Sequence, residues 1–175
     1  MSLLPVVTRQ IDAADLVSGF HCSDLSHTDF FLRAALALDR AGIVRTHVLP
    51  RTVDDAPNVP EVLGYYSLAA GALSPSTSGR NARSSPMLML ERFAVHSAVE
   101  GTGIASHLLL DAFGRCSAIA AHLGVVGVLA TAVNPRSFAF ASSLDFVALT
   151  SGLPCRMVIP MAKVHAAVAA TLSTP

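Results

Sequence analysis

The residues with the clearest chemical meaning lie in segment 86–110, where an apolar run is followed by a glycine-bearing turn and then by apolar residues at helical spacing. This order predicts a strand that reaches the N-terminus of a helix through Gly101 and Gly103. Such a turn leaves backbone N–H groups unpaired, and the helix dipole adds partial positive charge where they converge. We therefore expect the turn to bind an anion, with phosphate as the favoured candidate.

Two common nucleotide-binding patterns do not fit this turn. A Walker-type loop needs Gly-Lys-Ser/Thr at the start of the helix, and the only lysine of the chain is Lys163. A dinucleotide fingerprint needs a third glycine and an acidic residue on the next strand, near the front of the domain. Residues 100–105 come late in the chain and contain two glycines. The turn is therefore neither a Walker-type loop nor a dinucleotide-binding fingerprint.

Residues 100–105, Glu-Gly-Thr-Gly-Ile-Ala, resemble the Gln/Arg-x-x-Gly-x-Gly/Ala loop with which GNAT acetyltransferases hold the pyrophosphate of acetyl-CoA. Glu100 departs from the usual Gln or Arg, but any residue supplies a backbone amide. A second group of residues has the spacing of the family's asparagine, Phe-Tyr helix and Gly-Phe turn: Asn134, Ser137, Phe140, Ala141, Asp145 and Phe146. The resemblance implies an α/β (α+β) GNAT fold, with a mixed central sheet of splayed strands flanked by helices.

Other segments are similar to the tRNA-acetylating toxins of bacterial toxin–antitoxin pairs, a branch of this family. They are Phe20-His21-Cys22, Asp29-Phe30-Phe31-Leu32, Arg45-Thr46, the GYYSLA run at 64–69 and the LERFAV run at 90–95. The resemblance implies acetylation of the α-amine of an amino acid carried on tRNA, which blocks translation. It also implies three partners, namely aminoacyl-tRNA, a ribbon-helix-helix antitoxin and a second copy of the chain.

The resemblance assigns roles to individual residues. Backbone groups of residues 93–95 would pair with the pantetheine arm as an added strand does, and Asn134 would orient the cofactor or the acceptor. The implied acetyl-CoA-binding residues are Phe93, Ala94, Val95, Glu100, Gly101, Thr102, Gly103, Ile104, Ala105, Asn134 and Phe140.

Ala141 stands where the family has a tyrosine whose phenol protonates the departing thiolate. Alanine has no titratable group, so this chain lacks that general acid. Either the tyrosine was replaced, or the departure is natural and Ser142, Ser143 or Tyr66 compensates. We favour replacement, because alanine is the smallest change that leaves the helix undisturbed.

A tRNA acceptor requires cationic side chains that reach phosphates. The alternative is that these arginines are ordinary solvated surface residues. Tyr65 and Tyr66 can line an acceptor pocket, although adjacent strand residues face opposite sides, so we expect one of them in the core. The candidate arginines are Arg33, Arg40, Arg45, Arg80, Arg83, Arg92 and Arg136.

Two other functions remain open. One is an acetyltransferase for a small amine or a protein terminus. Such an enzyme would not have its arginines gathered on one face. The other is a non-catalytic acetyl-CoA-binding protein, which is supported by Ala141 alone.

Composition indicates the class of protein. With 175 residues, 52% hydrophobic and 14% charged, the chain is expected to form a single domain, 1–175, and its formal net charge of zero excludes a long-range basic field. Three cysteines without CxxC spacing and the absence of a signal sequence favour a reducing cytoplasm. Seven scattered histidines argue against a metal site, and the longest apolar region, 118–133, is too short to cross a membrane.

Periodicity and turn signals predict the elements that position these residues. Helix 103–123 is expected to bury an apolar side that ends with Ile119 and Ala120. Segment 74–86 is almost free of apolar residues and is expected to be a mobile loop. The expected strands are 6–9, 46–49, 62–70, 87–95, 125–133 and 156–160, and the expected helices are 20–41, 103–123, 136–144 and a tail at about 162–173. Ser23 or Asp24 is expected to cap the first turn of the first helix, and Gly42 is expected to end it.

Overall fold

The computed structural model of the chain describes residues 7–52, 61–74 and 83–172. Within these ranges the strands form a seven-stranded mixed sheet in the order β1-β2-β3-β4-β5-β7-β6, with β4 parallel to β5. Together with its helices, this sheet confirms the predicted α/β fold. The strands are β1 (Arg9–Gln10), β2 (Arg45–Pro50), β3 (Val62–Leu73), β4 (Ser85–Val95), β5 (Gly127–Ala132), β6 (Val147–Ala148) and β7 (Cys155–Pro160).

The helices follow the predicted order with shifted ends. Short 3-10 turns lie at Ala13–Val17 and Ser97–Val99, and a π-helical turn lies at Phe31–Ala35. The α-helices are α1 (Leu25–Phe30), α2 (Leu36–Arg40), α3 (Ile104–Ala120), α4 (Pro135–Ser143) and α5 (Met161–Leu172).

The described residues group into two compact units. The first contains the residues up to Leu68 together with Arg92–Ala112, and the second contains Ala69–Glu91 together with the residues from Phe113 onward. The single domain 1–175 stays a prediction.

The core of the first unit is aromatic. Phe20 packs against Phe31 with ring centroids 4.7 Å apart and against Tyr65 at 5.4 Å. Phe20 is a core residue that precedes the helix, and the predicted cap Asp24 is confirmed, since it accepts a hydrogen bond from the Ser26 amide at the start of α1. The predicted end of this helix is confirmed, since α2 stops at Arg40 and Gly42, which follows it, has φ of +74°.

In the second unit, β5 pairs with β4 on one side and β7 on the other, as predicted for a central strand. Phe113 and Cys116 of α3 are buried, whereas Ile119 is 37% exposed, so the predicted buried side ends one turn too late. The turn after α4 places Asp145 at φ +68°, and its carboxylate pairs with the Lys163 ammonium of α5 at 3.1 Å.

Several predicted boundaries need correction. The first strand is Arg9–Gln10 rather than 6–9, and Val6 lies outside the described residues. The predicted loop 74–86 overlaps β4, which already begins at Ser85, and residues 75–82 of it, including Arg80, are outside the described ranges. The two-residue strand β6 was not predicted, because two exposed residues are too few to show an alternation of apolar and polar side chains.

Gly127 permits a close approach of β5 and β7. A Cβ added there would lie 2.5 Å from the Ile159 carbonyl oxygen, which is backbone and has little freedom to move. We expect Gly127→Ala to lower the free energy of unfolding by about 1–3 kcal/mol through overpacking. Denaturant unfolding measures this change. The control is Gly114→Ala inside α3, where nothing lies within 4 Å and a gain of about 0.5–1 kcal/mol is expected. Equal midpoints for Gly127→Ala and the unsubstituted chain would contradict the prediction.

Candidate functional site

The predicted anion site is a turn that lies between β4 and α3, within the first unit. β4 ends at Val95, the 3-10 turn Ser97–Val99 follows, and α3 begins at Ile104. Gly101 has φ of +78° and Gly103 has φ of +89°, which are conformations that glycine adopts without strain. The predicted strand, glycine turn and helix are therefore all present in the predicted order.

The hydrogen bonding of this turn leaves a set of amides available. The Thr102 N–H donates to the Val99 carbonyl at 3.4 Å, and the Ser106 N–H donates to the Gly103 carbonyl at 3.1 Å. Across the described residues, four amides of the turn donate no hydrogen bond and therefore remain available to an anion. We call these four amides the cradle: Gly101, Gly103, Ile104 and Ala105.

The edge of β4 ahead of the cradle has a defined orientation. The Ala94 carbonyl lies 3.0 Å from the Cβ position of Gly64 in β3, and the His96 N–H donates to the Leu63 carbonyl at 2.9 Å. Because strand residues alternate the edge to which their backbone groups point, Phe93 and Val95 direct theirs to the edge opposite β3. Of the three residues predicted to hold pantetheine, Ala94 is thus oriented toward β3.

Pairing between β4 and β5 is short. The described residues pair from Leu88 with Val128 to Leu90 with Ala130, and β4 continues for five residues to Val95. An extended ligand with amide groups can add to a strand edge of this kind.

The second unit carries the other predicted site residues on and beside α4. Asn134 is the N-cap, and its Oδ1 accepts a hydrogen bond from the Ser137 amide at 2.9 Å. Ser137 Oγ accepts from the Asn134 amide at 3.1 Å, which completes a capping box. The carbonyl oxygen of the Asn134 side chain is thus occupied, while its Nδ2 makes no hydrogen bond within the described residues.

Ala141 lies seven residues after Asn134, which is two helical turns, so both lie on the same side of α4. Ala141 and Phe140 are half-buried. The Ala141 carbonyl accepts from Leu144 and Phe146 at the end of the helix. Both neighbouring serines are exposed, and Ser143 donates its hydroxyl to the Phe140 carbonyl at 2.7 Å.

The two adjacent tyrosines are both fully buried, so both belong to the core, where one of them was expected. Tyr65 packs among aromatic rings, donates its hydroxyl to the His27 carbonyl at 2.7 Å, and has its pKa raised by burial. Tyr66, on the other face of β3, donates to the Asp111 carboxylate at 2.5 Å. That carboxylate also accepts from the Thr8 hydroxyl at 2.6 Å. The proton of Tyr66 is therefore directed at Asp111, a residue that the sequence analysis did not single out.

The predicted arginines have unlike surroundings. Arg33 is 81% exposed with Asp29 at 3.4 Å, whereas Arg45 donates to the Asp39 carbonyl at 2.6 Å. Arg92 is half-buried, with its guanidinium 5.0 Å from the centre of the Phe30 ring, so it is not a simple solvated residue. Arg40 in the first unit and Arg83 and Arg136 in the second are exposed.

The described residues contain no group of three or more His, Cys, Asp or Glu side chains arranged to hold a metal ion. Within the same ranges, no helix has the length and apolar character needed to span a membrane. The three cysteines are buried and free.

The mixed sheet, with a helix that starts at a glycine turn after β4 and leads to the parallel strand β5, defines a GNAT-fold protein. No protein-family model matches the chain. A tRNA-acetylating toxin of Mycobacterium tuberculosis strain H37Rv is 34% identical over 143 residues, which are 79% of this chain and 82% of that protein. The chain therefore belongs to the tRNA-acetylating toxins of the GNAT acetyltransferase family.

Solved structures with the same fold include AtaTR bound with acetyl-CoA, with a TM-score of 0.78, 22% identity and coverage of 91% of this chain and 96% of that chain. AtaT complexed with acetyl-methionyl-tRNAfMet has a TM-score of 0.75, 22% identity and coverage of 91% and 97%. The KacTA–DNA complex has a TM-score of 0.74, 22% identity and coverage of 91% and 96%. At these identities the likeness establishes the fold.

Proposed function

We propose that this protein is an acetyl-CoA-dependent N-acetyltransferase toxin that acetylates the α-amine of aminoacyl-tRNA and so blocks translation. Its family membership and the fold it shares with structures bound to acetyl-CoA and to an acetylated aminoacyl-tRNA support the proposal. The single observation that carries it in this chain is the cradle, with its four available amides at the start of α3.

The proposed binding of acetyl-CoA begins with its diphosphate. The cradle amides, helped by the dipole of the 17-residue helix α3, balance the negative charge. The Glu100 side chain is not needed for this binding, because backbone amides supply it. Phe93 and Val95 pair with the amides of the pantetheine arm along the edge opposite β3, and Asn134 and Phe140 are assigned to the same ligand by resemblance.

Acetyl-CoA supplies the activated acetyl group as a thioester. When the neutral acceptor amine bonds to the carbonyl carbon and the carbon–sulfur bond breaks, the nitrogen releases one proton to solvent, and the sulfur leaves as a thiolate that must take up one proton. We propose that the residue at position 141 is the one that donates this proton in the family, and that Ala141 replaces the tyrosine that does so. Tyr66 is a weak substitute, because its hydroxyl already donates to Asp111.

We assign tRNA binding to the candidate arginines through their contact with phosphates. Arg33 and Arg40 lie on one helical segment, and Arg92 projects onto Phe30 beside it. Arg45, Arg80, Arg83 and Arg136 complete the set. A ribbon-helix-helix antitoxin, a homodimer and a cytoplasmic location are part of the proposal on the same family resemblance.

The proposal is tested with labelled acetyl-CoA, total charged tRNA and the Ala141→Tyr variant. Label on a subset of tRNA isoacceptors, released when the aminoacyl ester is hydrolysed, is the expected result. Binding of tRNA should also weaken steeply between about 50 and 200 mM salt, because phosphate contacts release counterions. Label found on polypeptide alone would overturn the tRNA acceptor and favour a protein terminus.

A second candidate function follows from Ala141. A chain without the general acid can bind acetyl-CoA and remain catalytically silent as its normal state. In that case Ala141→Tyr would bind acetyl-CoA and transfer no acetyl group to tRNA, small amines or polypeptides.

A further inference from the structure

His96 precedes the cradle in the chain and lies between the end of β4 and the 3-10 turn Ser97–Val99. Its side chain is 5% exposed. The ring nitrogen Nδ1 accepts a hydrogen bond from the Ala98 N–H at 3.1 Å and thereby caps the turn. A nitrogen that accepts this bond carries no proton, so the neutral ring has its proton on Nε2.

Segment 19–21 packs against the same ring. The Phe20 ring meets His96 edge-on at 5.7 Å, and the His21 ring lies 4.3 Å away. The His21 carbonyl accepts from the Ser97 N–H at 3.0 Å, next to the bond that His96 makes. Two successive amides of the turn, Ser97 and Ala98, are therefore held by His21 and His96.

We infer that neutral His96 is a positioning residue for acetyl-CoA binding, which holds the Ser97–Val99 turn against segment 19–21 and so fixes the cradle that follows. This inference rests on the proposed function, since it deepens the assignment of the coenzyme site. Protonation of His96 places a hydrogen on Nδ1, where the Ala98 N–H already points, so the cap is lost and the cradle loses its support.

The surroundings of His96 favour its neutral form. Burial lowers its pKa most, the neighbouring His21 lowers it further, and the Gly19 carbonyl opposes both. His21 is the one titratable group that the described residues place against this ring, and the Phe20 ring and the Gly19 carbonyl lie beside it as well. A lowered pKa means that the unfolded chain binds the proton more readily than the folded one. The support is therefore present at neutral and higher pH, and it is lost as the pH falls below about 6.5 and through the folded pKa.

The first test measures acetyl-CoA binding by calorimetry between pH 8 and pH 5. His96→Asn retains a side-chain oxygen that caps without titrating, whereas His96→Ala removes the cap. At pH 8 we expect His96→Asn to bind within about 3-fold of the unsubstituted chain and His96→Ala to bind about 2- to 30-fold more weakly. At pH 5 the unsubstituted chain should lose about 10-fold more affinity than His96→Asn. Both proteins share His21 and the ligand phosphates, so the difference isolates His96.

The second test needs no coenzyme. Amide exchange of peptides that cover residues 97–103 is compared between the unsubstituted chain and His96→Asn at the same pH. Equal protection at pH 8, with faster exchange in the unsubstituted chain at pH 5, supports the inference. Parallel pH profiles for the two proteins in both tests would overturn it. Failure of every variant to bind acetyl-CoA at pH 8 would instead overturn the proposed function, while the exchange result still decides the role of His96.

Discussion

Ala141→Tyr is expected to raise the rate of acetyl transfer to aminoacyl-tRNA by about 100- to 10,000-fold, the usual effect of a positioned general acid. Ala141 is half-buried, on the side of α4 that also carries Asn134. A phenol there supplies a proton donor where alanine has no titratable atom. Alanine and tyrosine differ modestly in helix propensity, so α4 should be preserved. Single-turnover measurements with charged tRNA report the chemical step directly.

The matched control is Ala141→Phe, which adds the same ring without the hydroxyl. It should leave both the rate and acetyl-CoA affinity close to those of the unsubstituted chain. A rate gain in Ala141→Phe equal to that in Ala141→Tyr would assign the effect to packing. No rate gain in Ala141→Tyr would show that a tyrosine at position 141 does not act as the general acid in this protein.

The paired substitution Gly101→Ala and Gly103→Ala should give the second large effect, on acetyl-CoA affinity. Both glycines have positive φ, which costs other residues about 1–2 kcal/mol each. Nothing lies within 4 Å of either Cβ position, so the added methyl groups meet no other atom and the cost comes from the backbone conformation alone. If relaxation removes all of this strain, rebuilding the cradle costs the ligand about 2–4 kcal/mol, or about 30- to 700-fold in the dissociation constant.

Gly114→Ala is the control for this pair, because it makes the same chemical change in α3 at a position with open space and without a positive φ. Its acetyl-CoA affinity should be unchanged. Titration calorimetry measures both proteins, and unaltered affinity in the paired variant would show that the cradle amides do not hold the ligand.

The order of elements could be predicted because the apolar residues of this chain recur at the regular spacing of helices and strands. The glycine turn was predicted for the same reason that it forms, since positions with positive φ at a helix start select glycine. The resemblance at 134–146 identified α4, and Asp145 with φ +68° lies where the family has glycine. An aspartate tolerates this conformation better than most residues do, and its partner Lys163 lies 18 positions away.

Tertiary contacts account for what the sequence did not reveal. The burial of Tyr66 depends on Asp111, which lies 45 residues away and accepts a hydrogen bond from its hydroxyl, and Thr8 donates to the same carboxylate. No local sequence pattern indicates so distant a partner. Phe20 lies outside the helix because it joins an aromatic core formed with residues far along the chain. The π-helical turn Phe31–Ala35 has the same apolar spacing as an ordinary helix and so gives no separate signal.

The pairing of Lys163 with Asp145 has a consequence for an enzyme proposed to acetylate amines. Lysine side chains are the amines that a protein most often exposes, and this sequence contains 11 arginines and a single lysine. That lysine is docked against a carboxylate at 3.1 Å. A guanidinium binds phosphate without being an acceptor for acetyl groups under ordinary conditions, so the arginines proposed to bind tRNA would not themselves be acetylated by the proposed activity.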